Sequence, residues 1–250
     1  MKNNKSLWNQ EIDPGYYDKA LTRGINLGRG IRAAWHDRTF NHVLNNINYS
    51  SKNLDYACGS GSFLGLYFKN NSIGFDISEK QIQHAKSKYS NKDVNFTTDI
   101  NVVKKSAPYE SITLLGLLEF LDHEDSVNLL NELYDLLEDN GVLIITTPNY
   151  KFTMKLLLKL INKFGRVNYQ DITINMHTYK SLNKLLVGYK KQLDAINQLT
   201  EIYKYRKLNG IPIPEERDMD IQLFFQLKNV TATLIEEHKI LRSEINEVLS

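Results

Sequence analysis

The sequence has a single cysteine, Cys58, in 250 residues. An intrachain disulfide is therefore excluded, and a reducing compartment, the cytoplasm, is the expected setting. Only five prolines are present, and no internal repeat or low-complexity linker breaks the chain, which excludes solenoid and proline-rich architectures. Neither sign of charge is in excess, since 31 basic and 29 acidic side chains give a formal net charge of +2. Such a balance lacks the one-signed field of a nucleic-acid binder, so no nucleic-acid partner is expected. No apolar run approaches the ~20 residues needed to span a bilayer. Met1 to Gln10 is polar and lacks the apolar core of a signal peptide. No metal site is expected. What remains, with 42% apolar residues, suits one large domain with small appendages.

The chain is organised around Leu54–Leu64, LDYACGSGSFL. It reads as a short buried strand that runs into a glycine turn and then a helix. Gly59 and Gly61 permit a tight bend and a close approach of a ligand to the main chain. The start of the following helix offers unpaired N–H groups and a positive dipole end, suited to a carboxylate or phosphate. Two glycines carry this meaning only in a strand–turn–helix context, and the downstream sequence supplies it. Ser72–Ile77 is a second strand that ends in Asp76, 17 positions after Gly59. An acid there can accept hydrogen bonds from both ribose hydroxyls of a nucleotide. Ser78-Glu79-Lys80-Gln81 follows as a capping box. Val94–Ile100 is a third strand. Its Asp99 either accepts from an adenine amino group or caps the next helix. Tyr109–Leu118 is apolar enough for the centre of a parallel sheet, and Glu119–His123 follows as a loop. Val127, Leu129, Leu130, Leu133, Leu136 and Leu137 trace an amphipathic helix, which Asn140-Gly141 closes as a glycine cap. Val142–Thr147 is the next strand, stopped by Pro148-Asn149. From about residue 52 to 147 strands and helices alternate, which gives a parallel sheet with helices on both faces. Gly59, Gly61, Asp76, Asp99, Leu115–Glu119 and Pro148 all fall at the carboxyl ends of those strands, where such sheets bind ligands.

The flanks divide the chain into 1–48, an N-terminal helical lid; 49–230, the ligand-binding domain; and 231–250, a C-terminal helix. In the lid, Pro14-Gly15 marks a turn. A helical pattern runs from about Gly30 to Ile47, with Ile31, Trp35, Val43, Leu44 and Ile47 on one face. Tyr16, Tyr17, Trp35 and His36 either line a substrate pocket or seal the core. In residues 152–164, FTMKLLLKLINKF, Lys155, Lys159 and Lys163 share a face. This helix either touches a membrane surface or a greasy substrate, or packs as a plain flap. A helix over Ser181–Tyr189 and strands near 193–199 and 221–227 follow. The last helix, about Thr233–Leu249, carries Leu234, His238, Leu241, Ile245 and Val248, and either packs on the domain or forms a homodimer seam.

The constellation Leu54-Asp55-x-x-Cys58-Gly59-x-Gly61 resembles the first motif of the class I S-adenosylmethionine-dependent methyltransferases, and the resemblance covers about residues 50–227. Asp76 matches that family's ribose-binding acid and Asp99 its acid near the adenine. Ser111–Glu119 matches the fourth strand, and Leu133–Asn149 the helix and strand after it. Within the class the sequence is most similar to the small-molecule branch that includes the ubiquinone-biosynthesis O-methyltransferases. There a Glu-His pair often follows the fourth strand; here Glu119 is followed by Phe120, and the nearest histidine is His123. A nicotinamide-binding domain fits less well, because Gly65 comes one position late for GxGxxG.

The resemblance implies an α/β, Rossmann-like doubly wound sheet of seven strands, mostly parallel with an antiparallel last strand, plus N- and C-terminal helices. It implies S-adenosyl-L-methionine as cofactor. The methionine carboxylate would meet the Gly59–Gly61 backbone, Asp76 would hold the ribose, and Asp99 and Ile100 would flank the adenine. Leu115 and Leu117 would lie along the cofactor, with Tyr56, Cys58, Ile77 and Gln81 completing its site. The implied reaction is in-line methyl transfer to an oxygen or nitrogen of a small molecule or a lipid or glycan precursor. The donor is already activated, so alignment is the protein's main task. A base helps a hydroxyl acceptor, and His36, His123 and His177 lie in segments able to reach the carboxyl edge. Two other readings stay open. A macromolecule methyltransferase is opposed by the balanced charge and by LLGLLE standing where amino-directed DNA methylases carry an Asp-Pro-Pro-Tyr type motif. A non-catalytic scaffold is opposed by the intact Gly59, Gly61 and Asp76.

Overall fold

A computed structural model describes residues 12–28, 30–151, 154, 172–187 and 231–232. Two helices open the chain, α1 (Tyr16–Leu27) and α2 (Ile31–Leu44). Strands and helices then alternate: β1 (Asn53–Tyr56), a π-helical segment (Phe63–Phe68), β2 (Ser72–Phe75), α3 (Glu79–Tyr89), β3 (Val94–Thr97), α4 (Ile100–Lys105), β4 (Tyr109–Leu115), a 3-10 turn (Leu118–Phe120), α5 (His123–Leu136) and β5 (Leu137–Thr146). These five strands pair in parallel in the order β3-β2-β1-β4-β5. The two-residue β6 (Thr231–Ala232) pairs in parallel with Val142–Leu143 at the β5 edge. The expected strands near 193–199 and 221–227 lie outside the described residues, and with them the seven-strand count and the antiparallel last strand. So do the helix over 233–249 and all of 152–164 except Met154. Among the described residues, no helix is long and apolar enough to cross a membrane.

The strand order decides where a ligand can lie. The chain winds outward from β1 through β2 to β3, then returns to place β4 on the other side of β1. A crevice opens at such a reversal, beyond the carboxyl ends of β1 and β4. Both sheet faces are covered. On one, Leu54, Ile112 and Leu114 pack with Leu118, Leu130 and Leu133; on the other, Phe63, Leu64 and Phe96 pack with Leu21, Phe40, Val43 and Ile82.

Several local expectations are corrected. Within the segment expected to be helical, the Pro14-Gly15 turn leads directly into α1, whose capping residues Gly15 and Gly28 are both left-handed with φ of 69° and 59°. Among the described side chains of α2 the buried ones are Ala33, Phe40 and Val43, with Ile47 just beyond, while Trp35 is 42% exposed; the Ile31 side chain lies outside the described ones. At about 100° per residue Trp35 stands roughly 200° from Ala33, so it belongs to the opposite face. The capping box at Ser78 is not made, because Ser78 forms no side-chain cap and Gln81 is engaged elsewhere. Nor does Asn140-Gly141 close α5, which already ends at Leu136; Leu137 is extended and pairs with Tyr109. Gly141 lies in the following irregularity of β5, where a Cβ would come within 2.8 Å of Leu137 Cδ2 and 3.0 Å of the Tyr109 carbonyl. Close approach, not left-handed backbone, calls for glycine there.

Candidate cofactor and acceptor site

The turn after β1 has three left-handed residues in five: Ala57 (φ 62°), Gly59 (φ 53°) and Gly61 (φ 75°). The Cys58 N–H donates to the Phe75 carbonyl at 2.9 Å, and the Gly61 N–H to the Cys58 carbonyl at 3.0 Å. The two glycines do different work. A Cβ on Gly59 would meet nothing within 4 Å, whereas one on Gly61 would lie 2.6 Å from the Phe96 ring and 2.8 Å from Ala85. Gly59 keeps the main chain open to a ligand; Gly61 lets the turn press onto β3 and α3. The expected helix after the turn is the six-residue π-helical segment, with Phe63, Leu64 and Phe68 buried. So short a segment contributes little dipole, and the Cys58, Gly59 and Gly61 N–H groups of the turn are already engaged by the Phe75 carbonyl, Asp76 and the Cys58 carbonyl.

Asp76 sits at the end of β2 and bridges two elements. Its Oδ2 accepts from the Gly59 N–H and its Oδ1 from the Ser78 N–H, each at 2.8 Å. Burial raises its pKa, and those two hydrogen bonds pull the other way. Each carboxylate oxygen has two lone pairs, so both can still accept a ligand hydroxyl. Beside it Ile77 is 45% exposed, and Val102 on α4 is 41% exposed. Uncovered apolar side chains thus follow two neighbouring strands, β2 and β3, as a flat aromatic base would require.

The other sequence-derived candidates are placed as follows. Asp99 caps α4, its Oδ1 accepting from the Asn101 N–H at 2.8 Å and the Asn101 side chain at 3.0 Å. That leaves Oδ2 outside the cap. Ile100 and Leu117 are half-buried against the α5-side core, and Leu115 against the other. Tyr56 packs its ring on Phe75 at 4.8 Å and hydrogen-bonds Glu132; burial, then Glu132, push its pKa up. Its hydroxyl is thus engaged with α5. Burial and the charges of Asp76 and Asp55 hold the Cys58 thiol protonated. Gln81 is spent on structure, because its Oε1 accepts from the Gly15 N–H (3.0 Å) and Ser60 Oγ (2.7 Å), and its Nε2 donates to the Asp13 carbonyl (3.1 Å).

The three histidines stand on three different elements. His36 on α2 lies between Tyr17 and Phe40, with ring centroids at 6.3 and 5.6 Å. His123 is exposed at the first residue of α5. His177 lies in a strap, residues 173–178, that crosses the ends of β4 and β5. The strap is held by Ile174 and Asn175 N–H groups donating to the Glu119 carbonyl at 2.8 and 3.0 Å, and by the Tyr150 N–H donating to the His177 carbonyl at 2.9 Å. Burial lowers the His177 pKa, opposed by a hydrogen bond to the Leu118 backbone. Among the described residues its Nε2 has no hydrogen-bond partner.

Three carboxyl groups escaped the sequence reading as site residues. Asp55, buried in β1, accepts from Thr113 Oγ1 at 2.8 Å. Burial pushes its pKa up to about 7, with Thr113 opposing and the Asp76 charge adding. Glu119 is 4% exposed and its Oε2 accepts from Thr147 Oγ1 at 3.1 Å. Burial likewise pushes it up to about 7, against hydrogen bonds from its own N–H and from Thr147. Asp18, fully buried on α1, gathers Ser62 Oγ (3.1 Å), Tyr89 OH (2.5 Å), His84 Nε2 (2.8 Å) and Lys88 Nζ (2.7 Å). Burial alone would raise its pKa, but Lys88, Tyr89 and His84 outweigh that and lower it. A buried acid inside a helix reads as a surface residue in sequence, and only the partners' placement reveals it.

Residues 29–189 match a family model described as a methyltransferase domain. An uncharacterised protein of Methanocaldococcus jannaschii is 27% identical over 156 residues, which is 62% of this chain and 57% of that protein, so the match spans less than two thirds of the relative's length. Two solved structures are similar at lower identity. The magnesium protoporphyrin IX methyltransferase of Synechocystis PCC 6803, with S-adenosylhomocysteine bound, is 20% identical with TM-score 0.48, covering 64% of this chain and 74% of that one. A SAM-dependent methyltransferase from Archaeoglobus fulgidus is 22% identical with TM-score 0.46, covering 61% and 67%.

Proposed function

The chain belongs to the methyltransferase-domain family, and from that premise we propose that it moves the methyl group of S-adenosyl-L-methionine to an oxygen or nitrogen of a small molecule or a lipid or glycan precursor. The observation that carries this reading is the pairing of an open Gly59 with Asp76 at the carboxyl edge of the sheet. These residues fit the cofactor. The space at Gly59 admits its methionine end, the spare lone pairs of Asp76 accept from the ribose hydroxyls, and Ile77 and Val102 offer apolar contact to the adenine beside Asp99 and Ile100. The bound cofactor supplies an activated methyl group; the chain aligns the acceptor with it.

If the acceptor is a hydroxyl, His177 is the best placed of the three histidines to take its proton, being neutral and held at the β4 end with Nε2 unpaired. The balanced charge supports a small acceptor, as in the ubiquinone-biosynthesis O-methyltransferase branch. On this reading residues 1–48 cover the site, 49–230 form the cofactor domain and 231–250 a terminal helix, with 152–164 the segment nearest a membrane in character. Calorimetric titration with S-adenosylhomocysteine tests the cofactor site. Asp76→Ala should weaken binding by about 1.5–3 kcal/mol for each charge-assisted hydrogen bond lost. A folded variant with unchanged affinity would refute the ribose role.

A further inference from the structure

We propose that the Glu119 carboxyl faces the methyl acceptor and receives a hydrogen bond from the acceptor's own O–H or N–H, with Thr147 and the 173–178 strap holding it in place. The inference rests on the cofactor reading above and deepens it, because it states which chemical groups the acceptor can present.

Position comes first. Glu119 follows β4 by four residues, and its Oε1 lies 3.5 Å from where a Gly116 Cβ would stand. Its Oε2 is bound to Thr147, one residue beyond β5. The carboxyl therefore spans the tips of β4 and β5, adjoining the crevice between β1 and β4. Its main chain is clamped as well, by Ile174 and Asn175.

The second argument is the count of donors. Two buried carboxylates of this protein can be compared directly. Asp18 collects four side-chain donors, one of them a lysine. A carboxylate so surrounded is complete, and it holds α1 down. Glu119 has two described donors, its own N–H and Thr147, for about four acceptor sites. A buried polar group left short of partners is costly. On the same turn, His177 hydrogen-bonds the Leu118 backbone in the sense that favours its charged form, and so donates from Nδ1. Nε2 is then a second buried acceptor without a donor. Among the described residues, the end of β4 is thus rich in acceptors and poor in donors. Its complement is a group that brings hydrogens, an alcohol or an amine. The ionised Glu119 carboxylate would repel a carboxylate or phosphate at the reacting position.

Sinefungin tests this without knowledge of the natural acceptor. In it a carbon bearing a protonated amine replaces the sulfonium sulfur and its methyl, so an ammonium points where the transferred group would. Affinities of the full-length chain for sinefungin and for S-adenosylhomocysteine are measured by calorimetry, for wild type and Glu119→Gln. The expected result is a sinefungin preference in wild type that falls by about tenfold or more in the variant, the scale of a buried charge-assisted hydrogen bond, while S-adenosylhomocysteine affinity holds. An unchanged preference with both ligands still bound would overturn the proposal and leave the cofactor reading standing. Failure of wild type to bind S-adenosylhomocysteine would sink both. Should Glu119→Gln not fold, Glu119→Asp keeps the charge but retracts it by one methylene, and is expected to lower the preference too; an unchanged preference there overturns the proposal equally.

Discussion

Replacing Asp55 by Asn should make the protein more tolerant of alkaline than of acidic conditions relative to wild type. Asp55 is buried at the centre of the sheet, and its pKa is raised from 3.8 to about 7. Between those values the folded protein holds a proton that the unfolded chain has released. Stability therefore falls as pH rises through this window, and levels off above about pH 7. The difference of 7 minus 3.8, at about 1.36 kcal/mol per unit, puts the ceiling of the cost at about 4 kcal/mol. Asn is nearly isosteric and can still accept from Thr113 Oγ1, but it brings amide hydrogens into a buried place, at about 1–3 kcal/mol if unpaired. That penalty does not vary with pH, so it shifts the whole curve without bending it. The signature is the slope. Urea denaturation at pH 5, 6, 7 and 8 should show the stability of Asp55→Asn minus that of wild type climbing by about 2–3 kcal/mol over the two units between pH 5 and 7, and flattening above pH 7. A difference that stays constant from pH 5 to 8 would refute the assignment of a buried, proton-holding carboxyl at this position.

The glycine turn yields a second expectation. Both alanine variants pay about 1–2 kcal/mol for a left-handed backbone, but Gly61→Ala also drives a Cβ into Phe96 and Ala85, adding about 1–3 kcal/mol. Gly59→Ala should instead keep most of the stability and lose S-adenosylhomocysteine affinity; equal destabilisation of the two in urea would contradict their division of labour. Asp18→Ala should cost about 3–5 kcal/mol, toward the lower end because Lys88 is partly solvated, with early hydrogen exchange in α1 as a second readout. Because the Asp18 pKa is lowered in the folded state, its contribution is present at neutral pH and is lost only as acid carries the pH below 3.8 and through the folded value. A wild-type profile without that acid loss, or an Asp18→Ala variant as stable as wild type at pH 7, would count against the Asp18 cluster.

Much of the sheet was legible because its strands carry their signal locally. The apolar runs at Leu54, Ile112–Leu115 and Val142–Ile145 and the acids at Asp76 and Asp99 mark strand and loop without help from elsewhere. What was not legible depends on distant partners. Asp18 is polar, yet it is the buried anchor of α1, and its meaning lies in Ser62, His84, Lys88 and Tyr89, 44 to 71 residues away. Gln81 fitted a local capping pattern but is claimed by Gly15 and Ser60. Gly141 looked like a helix stop, and its reason is crowding against Tyr109 in the next strand. Trp35 shows a different failure, since an aromatic residue invites assignment to the core whatever its helical phase. Glu119 reads in the sequence only as the first member of a pair whose histidine is missing, and its burial depends on Thr147 and the 173–178 strap, which lie 28 or more residues away.

The buried anchor on α1 also bears on where the functional unit can be cut. The family match starts at residue 29, so a fragment excised along that boundary would discard Asp18 while keeping every group that binds it. Lys88, Tyr89 and Ser62 would then line an empty socket directly beneath the glycine turn. Such a fragment should express poorly or lose its grip on ligand for reasons unrelated to the chemistry, and the smallest trustworthy unit for enzymology begins before Asp13, whose carbonyl Gln81 already holds.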